Sequence, residues 1–202
     1  MIKVLADKFF SSWCDVVEER DEDIDRAWCD NKAYSDLIIH SQDSIVKAVA
    51  ERIGLNCYNG DYYYIDSVFY SDDDYIKDFP NQCFLTGIRI AFEHENNFKS
   101  GLFQEVAHLL LINCDLKVVV SYPPDELSET QELDYLHGII SSSKVAEEIS
   151  NNKSFLFIMG HATPYKWVAW QYHKSGWIKI ANKRFKTDSQ RVAFSPCVDF
   201  SD

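Results

Sequence analysis

Apolar residues recur at two different periods along the chain, and each period predicts one type of element. A spacing of three or four residues covers 2–20, 42–53 and 101–112, which predicts amphipathic helices. Gly54 directly follows the second of these segments, at a position typical of a helix end. Residues 141–150 form a further predicted helix. The chain therefore contains helices distributed along most of its length.

Segments rich in aromatic and β-branched residues lie between the helices and predict strands. The predicted strands are 61–70, 87–95, 116–122 and 154–160. The first two follow each other without a helix between them, so we expect them to be antiparallel. A helix separates the second from the third, which favours a parallel crossover. Residues 123–130 are predicted to be a loop, and 165–181 a closing hairpin that turns at Ser175 and Gly176.

This order of elements predicts an α/β (α+β) fold, in which helices flank a central mixed β-sheet and a β-hairpin lies at the C-terminal end. The chain has 202 residues, 46% of them hydrophobic, which is enough for a substantial core. We expect a single domain over 1–202. It comprises an N-terminal helical segment over 1–40, a core over 41–122 and a C-terminal part over 123–202.

Charge and hydropathy limit the classes of function. The first residues lack a cationic start followed by an apolar stretch, and no window approaches the roughly 18 apolar residues of a membrane span. We therefore expect a cytoplasmic protein with no membrane partner. The net charge of −12 argues against a protein that coats nucleic acid nonspecifically, because such binding relies on Lys and Arg. The cysteines form no C-x-x-C pair that would indicate a zinc site.

Carboxylates end the second predicted strand. Glu93 and Glu95 are two residues apart and share one face of the strand, while His94 points to the other face. Asp66, in the preceding predicted strand, can reach the same place if the two strands pair. Convergent carboxylates suit Mg²⁺ or Mn²⁺. Glu105 flanks the buried stripe of the following helix and is a fourth candidate.

The segment 40–122 resembles the core of the PD-(D/E)XK superfamily, the restriction-endonuclease-like nucleases. The likeness rests on a strand with "ID", a strand ending in "EHEN", a helix with "EVAHLL" and the strand "LKVVVSY". The resemblance implies a restriction-endonuclease-like core in which Asp66 is the first acidic residue and Glu93 the second. The third position, usually lysine, is Glu95, as in some restriction enzymes. Lys117 or Glu105 could take over the role of the missing lysine.

Structural roles for the same residues remain open. Asp66 could accept a bond from a backbone amide, and Glu93 and Glu95 could be charges on an edge strand that deter aggregation. Glu105 could be a surface residue of its helix, and Lys117 an exposed strand residue. Glu105 also forms one E-x-x-H pattern with the histidine three residues later, but di-iron bundles need two such pairs and two further glutamates.

The segment 165–191 reverses the charge, with seven cations and one carboxylate among several aromatic residues. Cations interleaved with aromatic rings could hold a nucleic-acid backbone and stack bases. The alternative is a core hairpin whose tryptophans pack inward while the lysines stay in water, and the two readings are compatible. The candidate nucleic-acid-binding residues are Lys166, Trp170, Lys174, Lys179, Lys183, Arg184 and Lys186.

These features favour a divalent-metal-dependent endonuclease that hydrolyses phosphodiester bonds in DNA. Asp66, Glu93 and Glu95 would hold Mg²⁺ or Mn²⁺, and Glu105 and Lys117 would be accessory catalytic residues. Homodimers are frequent in the family, and a larger complex could supply affinity for DNA. The alternative is an inactive nuclease fold that acts as a regulatory or inhibitory module and binds a basic protein partner. Binding of a divalent ion separates the two hypotheses.

Overall fold

The protein is described by a computed structural model that covers residues 2–78, 82–99, 101–162 and 165–180. Within these ranges, seven strands form a single sheet in the order in which they occur along the chain. They are β1 (Asn56–Tyr58), β2 (Ser67–Tyr70), β3 (Ile88–Glu95), β4 (Cys114–Ser121), β5 (Ser154–Ala162), β6 (Tyr165–Gln171) and β7 (Ile178–Ile180). Strands β3, β4 and β5 are parallel, and the remaining neighbours are antiparallel. The predicted mixed sheet flanked by helices is confirmed.

Helices cover both faces of the sheet. They are α1 (Ile2–Glu19), α2 (Asp21–Ala27), α3 (Asn31–Ser35), α4 (Ile45–Ile53), α5 (Leu102–Leu111), α6 (Glu126–Ser142) and α7 (Ala146–Asn151). Helices α1 and α4 pack on one face and enclose a core that includes Phe92 and Val118. Helices α5, α6 and α7 enclose a second core that includes Val119 and Phe157. Because strand residues alternate between faces, neighbours such as Val118 and Val119 belong to different cores.

The helix between β3 and β4 decides the geometry of the site. Its crossover makes these two strands parallel, and in their register Glu93 lies opposite Val119 and Glu95 opposite Ser121. The carboxyl ends of β3, β4 and β5 therefore meet at one edge of the sheet. The predicted antiparallel pairing of β2 with β3 is confirmed, with Ser67 opposite Phe92. Gly54 ends α4 in the left-handed conformation, at φ 78°.

The strand predicted over 61–70 is shorter than expected, because only 67–70 pairs with its neighbours. The residues before it form a loop in which Asp61, Tyr63 and Tyr64 have φ values of 56°, 53° and 68°. These left-handed conformations are incompatible with an extended strand. Aromatic composition alone predicted the strand, whereas the turn-forming side chain of Asp61, which accepts from the Tyr64 backbone N–H at 2.7 Å, shapes the loop.

The segment after β4 also differs from the prediction. Residues 123–130 were expected to be a loop, but α6 begins at Glu126 and continues to Ser142. The Asp125 carboxylate accepts from the Ser128 backbone N–H at 2.7 Å and caps this helix. A buried stripe along α6 consists of Glu129, Leu133, Leu136 and Ile140. The helix predicted over 141–150 is instead divided between the end of α6 and the short α7.

The predicted closing hairpin is confirmed, since β6 and β7 pair antiparallel across a turn that contains Gly176. Trp167 in β6 is buried, as expected for a hairpin that packs its tryptophans inward. Among the residues that the structure describes, no helix is long and apolar enough to cross a membrane.

Candidate metal centre

The end of β3 and the loop before β2 are joined through their acidic residues. Glu93 is 2% exposed and points toward α5. Its Oε2 accepts from the backbone N–H of Asp66 at 3.2 Å. In turn, Asp66 Oδ2 accepts from the backbone N–H of His94 at 2.8 Å. The pairing of β2 with β3 therefore brings Asp66 and Glu93 together, as the sequence predicted.

Helix α5 adds two further ligand groups. Glu105 and His108 are three residues apart, so they lie on the same side of the helix. One ligand atom each from Glu93, Glu105 and His108 can be chosen so that all lie within 4.8 Å of one another. Ligands at about 2.1 Å from one ion lie about 3 to 4 Å apart, so small side-chain movements would let these groups share a divalent cation.

One oxygen of Glu93 has no hydrogen-bond partner within the described structure. This atom, Oε1, is buried and lies 3.4 Å from His108 Nδ1, close enough for an ion pair but without hydrogen-bond geometry. A buried carboxylate oxygen without a partner is costly unless a proton or a cation compensates it. The residues present therefore fit a cation that would contact Glu93 Oε1.

Burial and mutual repulsion raise the pKa values of these carboxyl groups. Burial, followed by the charges of Asp66 and Glu105, raises the pKa of Glu93 to about 9. Burial, followed by the charges of Asp66 and Glu95, raises the pKa of Glu105 to about 7. The pKa of Asp66 is raised mainly by burial, against the opposing effect of its bond from the His94 backbone. Without a cation, the cluster therefore retains protons at neutral pH, which a metal ion would displace.

Glu95 shares the face of Glu93, but its carboxylate is occupied elsewhere. Its Oε1 accepts from the Asn97 backbone N–H at 2.5 Å. A Cβ added to Gly101 would collide with Glu95 Oε2, so the carboxylate fills the space left by this glycine at the start of α5. Glu95 therefore contributes charge to the cluster, whereas Glu105 and His108 provide the ligand atoms that group with Glu93.

Lys117 is buried, and its amine is directed away from the acidic cluster. Its Nζ donates to the Ile112 carbonyl oxygen at 2.6 Å and lies 3.3 Å from Cys114 Sγ. Both partners lie at the amino end of β4, whereas Glu93 is near the carboxyl end of β3. The structure therefore does not bring the Lys117 amine to the position that the nuclease resemblance implied.

The basic hairpin is separated from the acidic cluster along the sheet, although Trp170 and Glu93 lie on the same face. Strand β6 is three strands away from β3, which corresponds to about 14 Å. Lys166 Nζ lies 2.6 Å from Glu126, and Lys174 is paired with Glu147. Lys179 Nζ lies 5.2 Å from the ring centre of Trp170, whose indole N–H donates to Glu129 at 2.6 Å. Lys183, Arg184 and Lys186 lie outside the described residues.

An open pocket of about 340 Å³ lies over the acidic cluster. Its lining consists of Asp61, Tyr64, Asp66, Gln104, Glu105 and His108. Among the residues that the structure describes, the lining contains carboxylates, an amide, an imidazole and a phenol, but no Lys or Arg. A phosphate that entered this pocket would therefore need a bound cation as its positive partner.

Sequence reasoning did not assign His108 to the site. Its signal was the E-x-x-H pattern with Glu105, which was weighed only as part of a di-iron bundle. His94 lies on the opposite face, as predicted, and the burial of its ring lowers its pKa to about 3. Its Nε2 lies 2.8 Å from the Tyr122 hydroxyl, among aromatic rings that include Tyr34. His94 therefore has a structural environment.

No model of a known protein family matches the chain, and no curated protein matches it with significant sequence similarity. A proposal about function therefore rests on the chemistry of the acidic cluster and its pocket.

Proposed function

We propose that the protein is a divalent-metal-dependent endonuclease that hydrolyses phosphodiester bonds in DNA. Glu93, Glu105 and His108 hold the ion, and Asp66 supports them from the neighbouring loop. The observation that carries the proposal is the buried Oε1 of Glu93, which has no hydrogen-bond partner in the described structure and groups with Glu105 and His108. The restriction-endonuclease-like core expected from "EHEN" and "EVAHLL" remains part of this proposal.

The ligand set favours Mn²⁺ or Mg²⁺. Carboxylates and water suit both ions, while an imidazole is a softer ligand that Mg²⁺ uses less readily. Because His108 joins two carboxylates here, Mn²⁺ is expected to bind more tightly than Mg²⁺. This difference in affinity between Mn²⁺ and Mg²⁺ arises from the imidazole of His108. A site made of Asp66, Glu93 and Glu95 alone would not show it.

The residues have separate tasks in hydrolysis. Glu93, Glu105 and His108 would hold a divalent ion, whose chemistry would be to activate a water molecule and to stabilise the charge that develops on the phosphate. Asp66 holds the backbone of β3 through the His94 N–H and so positions Glu93. Glu105 lines the pocket, so its oxygen that does not contact the ion would be placed to accept a proton from the attacking water.

Affinity for DNA has to overcome the acidity of the protein. The net charge is −12, and the described lining of the pocket has no Lys or Arg. A divalent ion held by Glu93, Glu105 and His108 would therefore supply the positive charge that the scissile phosphate requires. A homodimer or a larger complex would provide additional contacts with the DNA backbone.

A second function is favoured by the same acidity. Lys117 is directed away from the cluster, and the acidic surface would suit a basic protein partner. In this alternative, the fold serves as a regulatory or inhibitory binding module and performs no hydrolysis. A binding module has no need to hold Mg²⁺ or Mn²⁺ between Glu93 and Glu105.

Cleavage of plasmid and single-stranded DNA with Mg²⁺, Mn²⁺ or EDTA tests the proposal. The wild type is compared with Glu93→Gln and Asp66→Asn, and with Glu51→Gln as a matched control on the exposed side of α4. We expect metal-dependent cleavage that both site variants abolish and the control retains. If the wild type neither cleaves DNA nor binds metal saturably, the endonuclease proposal is rejected and the binding module is favoured.

A further inference from the structure

We propose that Tyr63 and Tyr64 form a stacking platform for unpaired nucleobases, which makes a single-stranded nucleic acid the preferred ligand of the pocket. The inference rests on the proposed function in one respect, since it treats the pocket as the place where a phosphodiester backbone binds. It adds the class of substrate and the residues that select it. The shared ligand chemistry is an unpaired base on a phosphodiester chain, whether DNA or RNA.

The two rings are displayed to solvent beside the acidic cluster. Tyr63 is 73% exposed and Tyr64 86% exposed, although both are large aromatic residues in consecutive positions. Tyr64 also lines the pocket, next to Asp61 and Asp66. A ligand whose phosphate reached the ion would therefore pass the ring of Tyr64, and Tyr63 is the preceding residue in the chain. Every base has a flat face that can stack on such a ring, independently of sequence.

The backbone of this loop holds the rings in place. Asp61, Tyr63 and Tyr64 all have positive φ, a conformation that residues other than glycine rarely adopt. The Asp61 side chain fixes the turn through the Tyr64 N–H, and two backbone bonds between Tyr62 and Ile65, at 2.8 and 3.2 Å, close it. Strained conformations of this kind persist where the surrounding structure enforces them, and they concentrate at functional sites.

Tyr62 anchors the platform to the body of the protein. Its hydroxyl accepts from the Leu85 backbone N–H at 3.3 Å, and its ring meets that of Tyr63 edge to face at 4.9 Å. Tyr58 also packs against Tyr62, with ring centres 5.8 Å apart. The last two of the three consecutive tyrosines therefore extend into solvent, and the anchored ring of Tyr62 supports that of Tyr63.

The electrostatics of the pocket favour single strands over duplexes. Proteins that bind a duplex obtain much of their affinity from Lys and Arg contacts with phosphates. The described lining of this pocket has none, so stacking has to supply affinity that the phosphates do not. Bases in a duplex are stacked on each other and cannot reach Tyr63 or Tyr64. An unpaired base can, and each stacked base improves affinity by about ten-fold or more.

The test is binding, measured by fluorescence anisotropy with Ca²⁺ in place of Mg²⁺ so that hydrolysis does not consume the probe. The probes are a labelled single-stranded DNA, the RNA of the same sequence, the DNA duplex, and a single strand of equal length whose central residues lack bases. The proteins are the wild type, the double variant Tyr63→Ala/Tyr64→Ala, and the double variant Tyr63→Phe/Tyr64→Phe. Tyr135→Ala, a tyrosine of α6 that is 54% exposed, is the control.

We expect the wild type to bind the single strands at least about ten-fold more tightly than the duplex or the abasic strand. The double alanine variant should lose this preference, whereas the phenylalanine variant and Tyr135→Ala should keep it. Thermal unfolding of each variant establishes that the loop substitutions leave the fold intact. Where the alanine double variant fails to fold, the preference of the wild type for the single strand over the abasic strand and the duplex still tests the platform.

The proposal is overturned if the abasic strand binds as tightly as the strand with bases, if the duplex binds best, or if no probe binds. It is also overturned if the alanine double variant, correctly folded, binds like Tyr135→Ala. Cleavage in Mg²⁺ is scored separately. If the protein binds single strands but cleaves no probe, the endonuclease proposal is rejected and the stacking platform is retained. If it cleaves the duplex and the tyrosine substitutions do not change the rate, the stacking platform is rejected and the endonuclease is retained.

Discussion

The backbone N–H of Asp66 donates to Glu93 Oε2 at 3.2 Å, so one acidic residue orients the other through its main chain. This contact uses one oxygen of Glu93 and leaves Oε1 facing His108, at 3.4 Å from Nδ1. The loop that carries the exposed tyrosines and the strand that ends in the acidic cluster are thereby joined. Changes at Asp66 are expected to affect both the proposed ion and the loop.

The substitution Glu93→Gln is expected to remove metal binding and to stabilise the metal-free protein at alkaline pH. Burial and the neighbouring carboxylates raise the pKa of Glu93 from 4.5 to about 9, so the folded state binds this proton more tightly than the unfolded state. Metal-free wild type therefore loses stability as pH rises from 4.5 toward 9. Glutamine has no such proton, and its variant should show a weaker pH dependence.

Thermal unfolding in EDTA at a series of pH values checks this expectation. At pH values close to the Glu93 pKa of about 9, Glu93→Gln should unfold at a higher temperature than the wild type. In mild acid, the two unfolding temperatures should become equal. Glu51→Gln, an exposed neutralisation on α4, controls for the change in net charge. If the unfolding temperatures of wild type and Glu93→Gln change with pH in the same way, the folded protein does not raise the pKa of Glu93.

The substitution His108→Gln is expected to weaken Mn²⁺ binding by at least about ten-fold, because an imidazole ligand is lost. Mg²⁺ binding should weaken less, since Mg²⁺ relies on oxygen ligands. Calorimetric titration with each ion measures both effects. His137→Gln, on α6, is the matched control. Equal losses for the two ions would contradict a direct contact between His108 and Mn²⁺.

The substitution Lys117→Met is expected to leave metal binding and cleavage unchanged. The amine of Lys117 is bound to the Ile112 carbonyl and the Cys114 sulfur, and it does not face the acidic cluster. Methionine retains most of the length of the side chain, so the core should remain filled. Cleavage rates and thermal unfolding are measured together. A folded variant that no longer cleaves would restore Lys117 to the catalytic machinery.

The substitution Asp74→Asn is expected to destabilise the protein by about 2 kcal/mol, because two hydrogen bonds from Arg89 lose their charged acceptor. Burial acts to raise the pKa of Asp74, but the bonds from Arg89 and Ser71 outweigh it and lower the pKa below 3.8. The stabilisation is therefore present above pH 3.8 and is lost as pH falls through the lower pKa of the folded state.

Urea unfolding at neutral pH and in acid measures this difference. The difference in the free energy of unfolding between wild type and Asp74→Asn should become smaller as the pH falls. Asp73→Asn, an exposed neighbour in the same turn, should behave like the wild type at both pH values. If the difference in the free energy of unfolding is the same at every pH, the charge of Asp74 does not contribute to stability.

Hydrophobic periodicity was sufficient to predict much of the fold. The apolar stripes of α1, α4 and α5 and the nearly continuous apolar run of β4 identified these elements, and the crossover helix predicted that β3 and β4 are parallel. Periodicity did not predict the loop over 61–66, because its aromatic residues have strand propensity while the Asp61 side chain and the left-handed backbone determine its shape. Helix α6 was missed because its polar start after Pro123 and Pro124 resembles a loop.

The candidate site was predictable where strand geometry fixes which residues share a face. Glu93 could be identified from alternation and Asp66 from strand pairing, and the two are in contact. The role of Glu95 depends on the turn at Asn97 and on the space above Gly101, which sequence spacing does not reveal. His108 joins the cluster because of the way α5 packs on β3, and this is a tertiary relationship. The direction of the Lys117 amine also follows from its buried partners.

The most direct test of the proposed metal centre is anomalous X-ray scattering from crystals of the wild type soaked in Mn²⁺. We predict one strong peak at about 2.1 Å from ligand atoms of Glu93, Glu105 and His108, in contact with the Oε1 of Glu93. The same soak of Glu93→Gln crystals should show no peak there. A wild-type site that stays empty at saturating Mn²⁺, or ions bound only at other surfaces, would contradict the metal centre and the hydrolysis that depends on it.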